Sequence, residues 1–133
     1  MSPRPSTTPV RRAPFHVARA QFKARARAWT ERIGVQPRRL QVQAMRRKWA
    51  SCSTAGTVTF SVDLLREPGD FQDVVIVHEL LHLNVPNHGR LFRSLMKAYV
   101  PEWERIARGR TSRSCGFQIL PVEGDARGEG RTG

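Results

Sequence analysis

The segment from residue 71 to residue 83 constrains the fold most, because the helix that it predicts is apolar around its whole circumference. Its apolar residues are Phe71, Val74, Val75, Ile76, Val77, Leu80, Leu81 and Leu83. A helix that is hydrophobic on all sides is buried, so the rest of the chain has to pack around it. The same helix contains His78, Glu79 and His82, and burying these groups without partners would cost several kcal/mol. A bound metal ion with its water would satisfy all three side chains together.

Residues 78–82 read H-E-L-L-H, which is the H-E-x-x-H pattern. In a helix, this spacing puts His78 and His82 on one face, one turn apart, where both imidazoles can bind one metal ion. Glu79 is turned by about 100° around the helix axis, so it can reach a water on the metal without becoming a ligand. An isolated H-E-x-x-H can also occur by chance on a solvated helix surface, but the apolar surroundings of this one argue against that interpretation.

A third histidine follows the helix. Pro86 cannot continue a helix, and a turn over residues 84–87 would swing His88 back towards the other two imidazoles. Three protein ligands with one open position are typical of a catalytic zinc site, whereas structural zinc sites close with four ligands. The sequence thus predicts one Zn²⁺ per chain on His78, His82 and His88, and it favours a zinc hydrolase, most simply a peptidase. An all-imidazole site also accepts other first-row ions.

The predicted mechanism uses the same residues. Bound Zn²⁺ lowers the pKa of its water and polarises the scissile carbonyl, while Glu79 acts as general base and passes the proton to the leaving amine. The oxyanion needs a second donor, which Tyr99 or an arginine could supply, although Tyr99 suits the core equally well. A peptide substrate is expected to add as an extra strand beside residues 60–63. Cys52 could approach the site, but a buried structural thiol is favoured.

The positive charge of the chain is concentrated in its first 50 residues. The chain has 23 Lys and Arg against 11 Asp and Glu, and residues 1–50 contain 13 of the basic residues and a single acid, Glu31. Such a basic segment is typical of proteins that bind nucleic acid or another polyanion. An arginine-rich but merely solvated face explains the composition equally well, because the aromatic residues of the segment do not form an interleaved pattern for base stacking.

Length and composition predict one domain, since 133 residues can form a modest core without disulfides. We expect a disordered basic arm over residues 1–14, a folded domain over residues 15–108 and a flexible tail over residues 109–133. No apolar run approaches the roughly 20 residues of a membrane span. Because the N-terminus has no apolar signal region and Cys52 and Cys115 are widely spaced, a cytoplasmic location with reduced thiols is predicted.

Periodicity predicts the elements around the metal motif. Residues 15–33 form a helix whose apolar stripe is Phe22, Ala26, Trp29 and Ile33. Two strands are predicted over residues 40–44 and 58–62. Asp70 is the expected N-cap of the motif helix, with Asp73 in a capping-box-like position. A second amphipathic helix follows the third histidine, and its expected inner side is Leu91, Phe92, Leu95, Met96 and Tyr99.

Three segments resemble the signatures of the YgjP-like metallopeptidase domain family, which is distantly related to the SprT and WLM peptidases. Residues 47–53 (R-K-W-A-S-C-S) are similar to the family's R-x-W-G-S-C-S strand, and residues 77–83 (V-H-E-L-L-H-L) to its V-H-E-L-x-H-L helix. Residues 87–92 (N-H-G-R-L-F) are similar to its N-H-x-x-x-F segment, which supplies the third ligand. The order and spacing agree over roughly residues 15–107. Ala50 stands where the family usually has Gly, and it would be strained only if that position needs a positive φ.

The resemblance implies an α+β fold, namely a minimal zincin-like domain in which a small antiparallel-containing β-sheet packs on the active-site helix and flanking helices. It also implies a zinc-dependent metallopeptidase that acts on protein or peptide substrates. Two alternatives stay open: a protease recruited to DNA or RNA through residues 1–50, and a non-catalytic, zinc-stabilised module that binds nucleic acid. A non-catalytic module predicts metal binding without any loss of function in Glu79→Gln.

Overall fold

The computed structural model describes residues 14–108, and the expectations for the basic arm, the C-terminal tail and Cys115 fall on residues outside this range. Within it, four α-helices, three β-strands and one 3-10 helix follow one another. Their order is α1 (Phe15–Ile33), β1 (Arg39–Gln43), β2 (Ala50–Cys52), β3 (Thr57–Ser61), the 3-10 helix (Val62–Arg66), α2 (Gly69–Leu81), α3 (Arg90–Tyr99) and α4 (Trp103–Arg108). This mixture confirms the predicted α+β class. None of these helices is long and apolar enough to cross a membrane.

The strands form one sheet in the order β1-β3-β2. β3 lies in the middle and pairs parallel to β1 and antiparallel to β2, where Ala50 is opposite Phe60. The turn between β2 and β3 requires glycine, because Gly56 has a φ of 97° and a Cβ there would lie 3.2 Å from the Cβ of Arg38. Periodicity predicted β1 and β3, whereas the three-residue strand β2 was indicated only by the resemblance of residues 47–53 to a strand signature.

The prediction that a peptide adds beside residues 60–63 is wrong, because β3 has a paired strand on both sides. The chain also turns directly after β3. The hydroxyl of Ser61 donates a hydrogen bond to the Met45 carbonyl at 3.0 Å and accepts one from the Asp63 amide at 3.1 Å, which starts the 3-10 helix. Among the strands of residues 14–108, β2 pairs only with β3 and is therefore an outer strand.

Helix α2 lies between two apolar clusters, as expected for a helix that is hydrophobic on all sides. It contributes Val75, Ile76 and Leu80 to the first cluster, which also contains residues of α1 and the sheet. It contributes Val74, Val77 and Leu81 to the second cluster, which also contains residues of α3 and α4. Each such side chain stabilises the fold by about 1.5–3 kcal/mol when it is removed from water, so α2 holds the two halves of the domain together.

The predicted capping of α2 by Asp70 is wrong. Helix α2 begins at Gly69 with Pro68 in the N-cap position, and no side chain caps it; Asp70 lies in the first turn, where its charge suits the helix dipole. Asp73 takes part in a tertiary contact instead. Its Oδ1 accepts hydrogen bonds from Nη1 of Arg25 and Nε1 of Trp29, both at 2.8 Å. These bonds join α1 to the N-terminal half of α2.

The predicted inner faces of α1 and α3 are largely confirmed. In α1, Phe22 and Ala26 are buried, and the other two stripe residues are half-buried and pack against the core. In α3, Phe92 and Met96 are buried, but Leu91 is 59% exposed and does not belong to the inner side. The apolar stripe of α3 is therefore narrower than predicted, and its most buried residue near the metal motif is Phe92.

Candidate metal centre

The last turn of α2 and the turn that follows it bring the three predicted ligands together. His78 and Glu79 lie inside the helix and are 2% and 1% exposed. The helix ends at Leu81, and His82 follows as its C-cap with helical backbone angles, so it keeps the one-turn spacing to His78. After it, the amide of Val85 donates to the Leu81 carbonyl at 2.8 Å, which closes a turn ahead of Pro86.

This turn returns His88 to the end of the helix, as the sequence predicted. The Nε2 atoms of His82 and His88 lie 2.9 Å apart. One ligand atom from each of the three histidines, including His78, lies within 4.8 Å of the others. Two nitrogens bound at about 2.0–2.1 Å to one tetrahedral zinc ion lie roughly 3.3 Å apart. The three imidazoles therefore have the spacing of a ligand set that could hold one metal ion.

The turn also orients one of the imidazoles. Nδ1 of His82 lies 3.2 Å from the carbonyl oxygen of Val85. When Nδ1 donates this hydrogen bond, the lone pair of the ring is on Nε2, which is the atom that faces His88. A backbone carbonyl that binds the second ring nitrogen is a common support of histidine ligands in metal sites.

Phe92 of α3 contacts all three imidazole rings. Its ring centroid lies 4.9 Å from that of His78, 4.8 Å from that of His82 and 5.0 Å from that of His88. The ring of His82 is stacked on it, with an interplanar angle of 28°. Phe92 thus forms an apolar wall against one side of the ligand set. The sequence placed this residue on the inner face of α3 but gave no indication of this contact.

Burial favours the form of histidine that binds metal. It lowers the pKa of His78 far below the usual range, with further lowering by the neighbouring histidines, and it lowers the pKa of His82 despite hydrogen bonds to backbone carbonyls. Burial, His82 and Arg93 together lower the pKa of His88 to about 4. All three imidazoles are therefore neutral at physiological pH, and each keeps a lone pair for a metal ion.

Glu79 provides a test of whether these residues suit a divalent cation. Within residues 14–108, its buried Oε2 accepts no hydrogen bond, and it lies 3.5 Å from Nδ1 of His78. Burial raises the pKa of Glu79 to about 8, and the charge of Lys48 opposes that rise. A carboxyl group placed in this way is costly without a cation or a bound water close by. Three neutral imidazoles beside such a group are a donor set that suits zinc.

A cleft of about 310 Å³ opens beside these residues. One part of its lining is β2 and the following turn, and the other is the end of α2 with the turn after it. The lining residues are Lys48, Ser51, Cys52, Ser53, Thr54, Glu79, His82, Pro86 and His88. Two of the three candidate ligands, His82 and His88, and Glu79 are therefore accessible from a groove that the outer strand β2 borders.

Cys52 lies at this cleft rather than wholly within the core, so the favoured buried thiol is wrong in part. The side chain is half-buried, packs against the first apolar cluster and also lines the cleft. Burial raises the pKa of its thiol, and the charge of Glu79 raises it further.

The same strand segment contains Trp49, which is buried and packs edge-on against Phe71 with ring centroids 5.2 Å apart. Ala50 is buried in extended β2, so it needs no positive φ.

The proposed oxyanion donor Tyr99 does not lie at the cleft. Its ring packs edge-on against Trp29 with centroids 6.2 Å apart, beside the second apolar cluster. The basic residue that does line the cleft is Lys48, for which no sequence pattern predicted a role. Its position directly before Trp49 and β2, in the segment that resembles the strand signature, was the signal that could have identified it. His16 is exposed and far from the site along the chain.

Comparisons with known proteins identify the family and the fold of the chain. The family described as "YgjP-like, metallopeptidase domain" matches residues 9–109, whereas no curated protein matches the chain. The metallopeptidase zymogen abylysin of Pyrococcus abyssi has a similar fold, with a TM-score of 0.59, 17% identity and coverage of 71% of this chain and 98% of that chain. For the metallopeptidase zymogen jannalysin of Methanocaldococcus jannaschii, the TM-score is 0.51, the identity 18% and the coverage 74% and 94%. The family match spans every described helix and strand, and the chain therefore belongs to the YgjP-like metallopeptidase domain family.

Proposed function

We propose that this protein is a zinc-dependent metallopeptidase that holds one Zn²⁺ per chain on His78, His82 and His88. The observation that carries the proposal is the convergence of three neutral imidazoles beside the buried carboxyl group of Glu79, at a cleft open to a substrate. Membership of a metallopeptidase family supports the peptidase assignment. Three protein ligands leave one coordination position for water or substrate, as catalytic zinc sites require.

In this proposal, Glu79 is the general base. Bound zinc would polarise the scissile carbonyl and lower the pKa of the attacking water. Glu79 lies one residue after a ligand and lines the same cleft, so its carboxylate can take the proton of that water and deliver it to the leaving amine. Because burial excludes bulk solvent from this carboxyl group, the proton that it accepts can pass to the amine rather than to water.

The outer strand β2 offers a way to bind the substrate. Within the described residues it pairs with β3 on one side only, and residues 51–54 line the cleft. An extended peptide that adds to the other side of β2 would place its backbone between this strand and the end of α2. The peptide bond would then lie between β2 and the side chains of Glu79 and His82.

The decisive experiment uses full-length protein loaded with zinc and a library of quenched-fluorescent peptides. We expect hydrolysis that the chelator 1,10-phenanthroline abolishes. Glu79→Gln should retain zinc but lose about 10²–10⁴-fold in kcat/KM, the usual contribution of general acid–base catalysis. Since both similar solved structures are zymogens, the assay is repeated after limited trypsin digestion and quenching of the trypsin. Equal rates for zinc-loaded wild type and Glu79→Gln would contradict the proposal.

A second candidate function follows from the charge distribution. Residues 1–50 contain 13 basic residues and one acid, so the peptidase could be recruited to its substrates on DNA or RNA. Cleavage would then be stimulated by an oligonucleotide, and the logarithm of the binding constant would fall linearly with the logarithm of the salt concentration. A non-catalytic nucleic-acid-binding module predicts the same salt dependence, but an unchanged function in Glu79→Gln.

We also propose that the protein acts in the cytoplasm, as predicted from its sequence. A reduced thiol at Cys52 suits that compartment. Fractionation of cells that express the tagged protein tests this part: we expect the protein in the cytosolic fraction, and recovery outside it would contradict the assignment.

A further inference from the structure

Lys48 gives the cleft a positive charge for which the described residues 14–108 supply no carboxylate partner. It is exposed, precedes β2 by two residues and lines the cleft together with Glu79, His82 and His88. Within residues 14–108, its ammonium group forms no ion pair with a carboxylate.

The other residues of the lining reinforce this asymmetry. Glu79 is the single acid among them, and its carboxyl group is buried at the floor rather than exposed at the rim. Ser51, Ser53 and Thr54 supply hydroxyl groups that can donate hydrogen bonds. A groove with an ammonium group that no described carboxylate pairs with, and with several hydroxyl donors, is chemically complementary to an anion.

The residues that precede Lys48 in the chain carry the same sign of charge. Arg46 and Arg47 directly precede Lys48, and all three side chains are exposed. An exposed lysine on an open surface contributes little to binding, because water and salt screen its charge. In a cleft from which a bound peptide displaces water, the same charge acts more strongly on a carboxylate. Lys48 is thus distinguished from its neighbours by its position in the lining.

We propose that Lys48 is a specificity-determining residue that binds a carboxylate group of the peptide substrate close to the scissile bond. This inference rests on the proposed function and names its substrate class: peptides with an acidic side chain near the cleaved bond, or with a free C-terminal carboxylate there. The hydroxyl groups of Ser51, Ser53 and Thr54 complete the anion-binding side of the cleft.

Binding measurements test the inference without requiring turnover. Zinc-loaded Glu79→Gln protein is titrated with labelled, amidated peptides that differ only by Glu or Gln at one position, and the position is moved through the peptide. At one position, we expect the Glu peptide to bind about 10-fold more tightly, as one charge-assisted hydrogen bond provides. A free-acid peptide compared with its amide separates a terminal carboxylate from a side-chain carboxylate.

Substitutions that remove or reverse the charge of Lys48 supply the second part of the test. Adding Lys48→Gln to Glu79→Gln should abolish the preference, and Lys48→Glu should transfer it to a Lys-containing peptide. Arg46→Gln removes the same charge outside the cleft lining and should leave the preference intact. In otherwise wild-type protein, the same substitutions should change the ratio of kcat/KM values for the Glu and Gln peptides.

The outcomes separate this inference from the proposed function. Equal binding of Glu and Gln peptides at every position, and of free acid and amide, would overturn the role of Lys48, whether or not the protein cleaves peptides. That role is also overturned if Lys48→Glu keeps the preference, or if Arg46→Gln removes it as Lys48→Gln does. A Lys48-dependent binding preference without any zinc-dependent cleavage would contradict the peptidase proposal and leave the carboxylate site in place.

Discussion

The two sides of α2 differ in what they contribute to the site. On the side towards α3, which we call the α3 flank, the phenyl ring of Phe92 packs against all three imidazoles. On the side towards β2, which we call the sheet flank, Glu79 faces a polar cleft with Lys48 and hydroxyl groups. One flank is apolar and closed, and the other is polar and open. In our proposal, a single helix thus separates the support of the metal site from the binding of substrate.

This separation follows from the helical periodicity of the motif. Val74, Val77 and Leu81 belong to the cluster on the α3 flank, and His78 lies on the same face, where it contacts Phe92. The neighbouring position, Glu79, is turned by about 100° around the axis and reaches the sheet flank. The H-E-x-x-H spacing thus puts His78 on the α3 flank and the general base of our proposal on the sheet flank, whereas His82 lines the cleft beside Glu79.

The largest expected effect is on metal affinity after loss of one imidazole. His88→Ala removes one of the three nitrogens that face each other. We expect zinc affinity to fall by more than about 100-fold, since the loss of a residue that only orients a ligand already lowers metal affinity about 10–100-fold. Competition with a chromophoric chelator measures it. His16→Ala, an exposed histidine outside the site, should change nothing; equal affinity of the two variants would remove His88 from the ligand set.

Metal removal should act mainly on the α3 flank. At a free zinc concentration of 100 times Kd, binding stabilises the folded state by about 2.7 kcal/mol, and chelation should remove that amount. Urea unfolding with and without chelator measures it. Hydrogen exchange should accelerate first in residues 82–99, where the turn and α3 depend on the ligand set, and least in β1 and β3. Uniform acceleration across the domain would argue against two functionally distinct flanks.

Substitution of Phe92, which forms the apolar wall, should lower zinc affinity by a smaller factor. Phe92→Leu keeps an apolar side chain but no longer contacts three rings, so zinc affinity should fall about 10-fold, at the lower end for outer-shell changes. The absorption spectrum of the Co²⁺-loaded protein should shift as well, because the imidazoles reorient. Met96→Leu alters the same helix and the same cluster and should leave both quantities unchanged. If both variants lose metal affinity equally, Phe92 acts only through folding.

The smallest expected effect on metal affinity is on the sheet flank. Cys52→Ser changes a half-buried cleft residue without touching an imidazole. We expect zinc affinity within about 2-fold of wild type and a loss of stability of about 1 kcal/mol, as is usual for a single substitution. The same titration and urea unfolding measure both values. A loss of zinc affinity as large as that of Phe92→Leu would show that the flanks are not separate.

The centre of the fold was predictable because its signal is local. The apolar residues on every side of α2 predicted its burial, and the spacing of His78 and His82, with Pro86 after them, predicted the three-histidine group. These features depend on helical periodicity and on the inability of proline to continue a helix. No tertiary information was needed for them.

The surroundings of the site depend on contacts between distant segments, and there the sequence was less informative. Strand β2 has three residues, too few for alternation to be recognised, so the outer strand was assigned to the wrong segment. Asp73 resembled a capping residue, but Arg25 and Trp29 of α1 bind it. The contact of Phe92 with the imidazoles arises from the docking of α3, which periodicity does not encode.

Anomalous diffraction at the zinc edge, measured on crystals of the zinc-loaded full chain, tests the central claim most directly. Our account predicts one peak per chain, bound by a nitrogen of each of His78, His82 and His88 at about 2.0–2.1 Å, with the Glu79 carboxylate outside the ligand set. A peak elsewhere, or a zinc ion bound by Glu79 in place of an imidazole, would contradict the account.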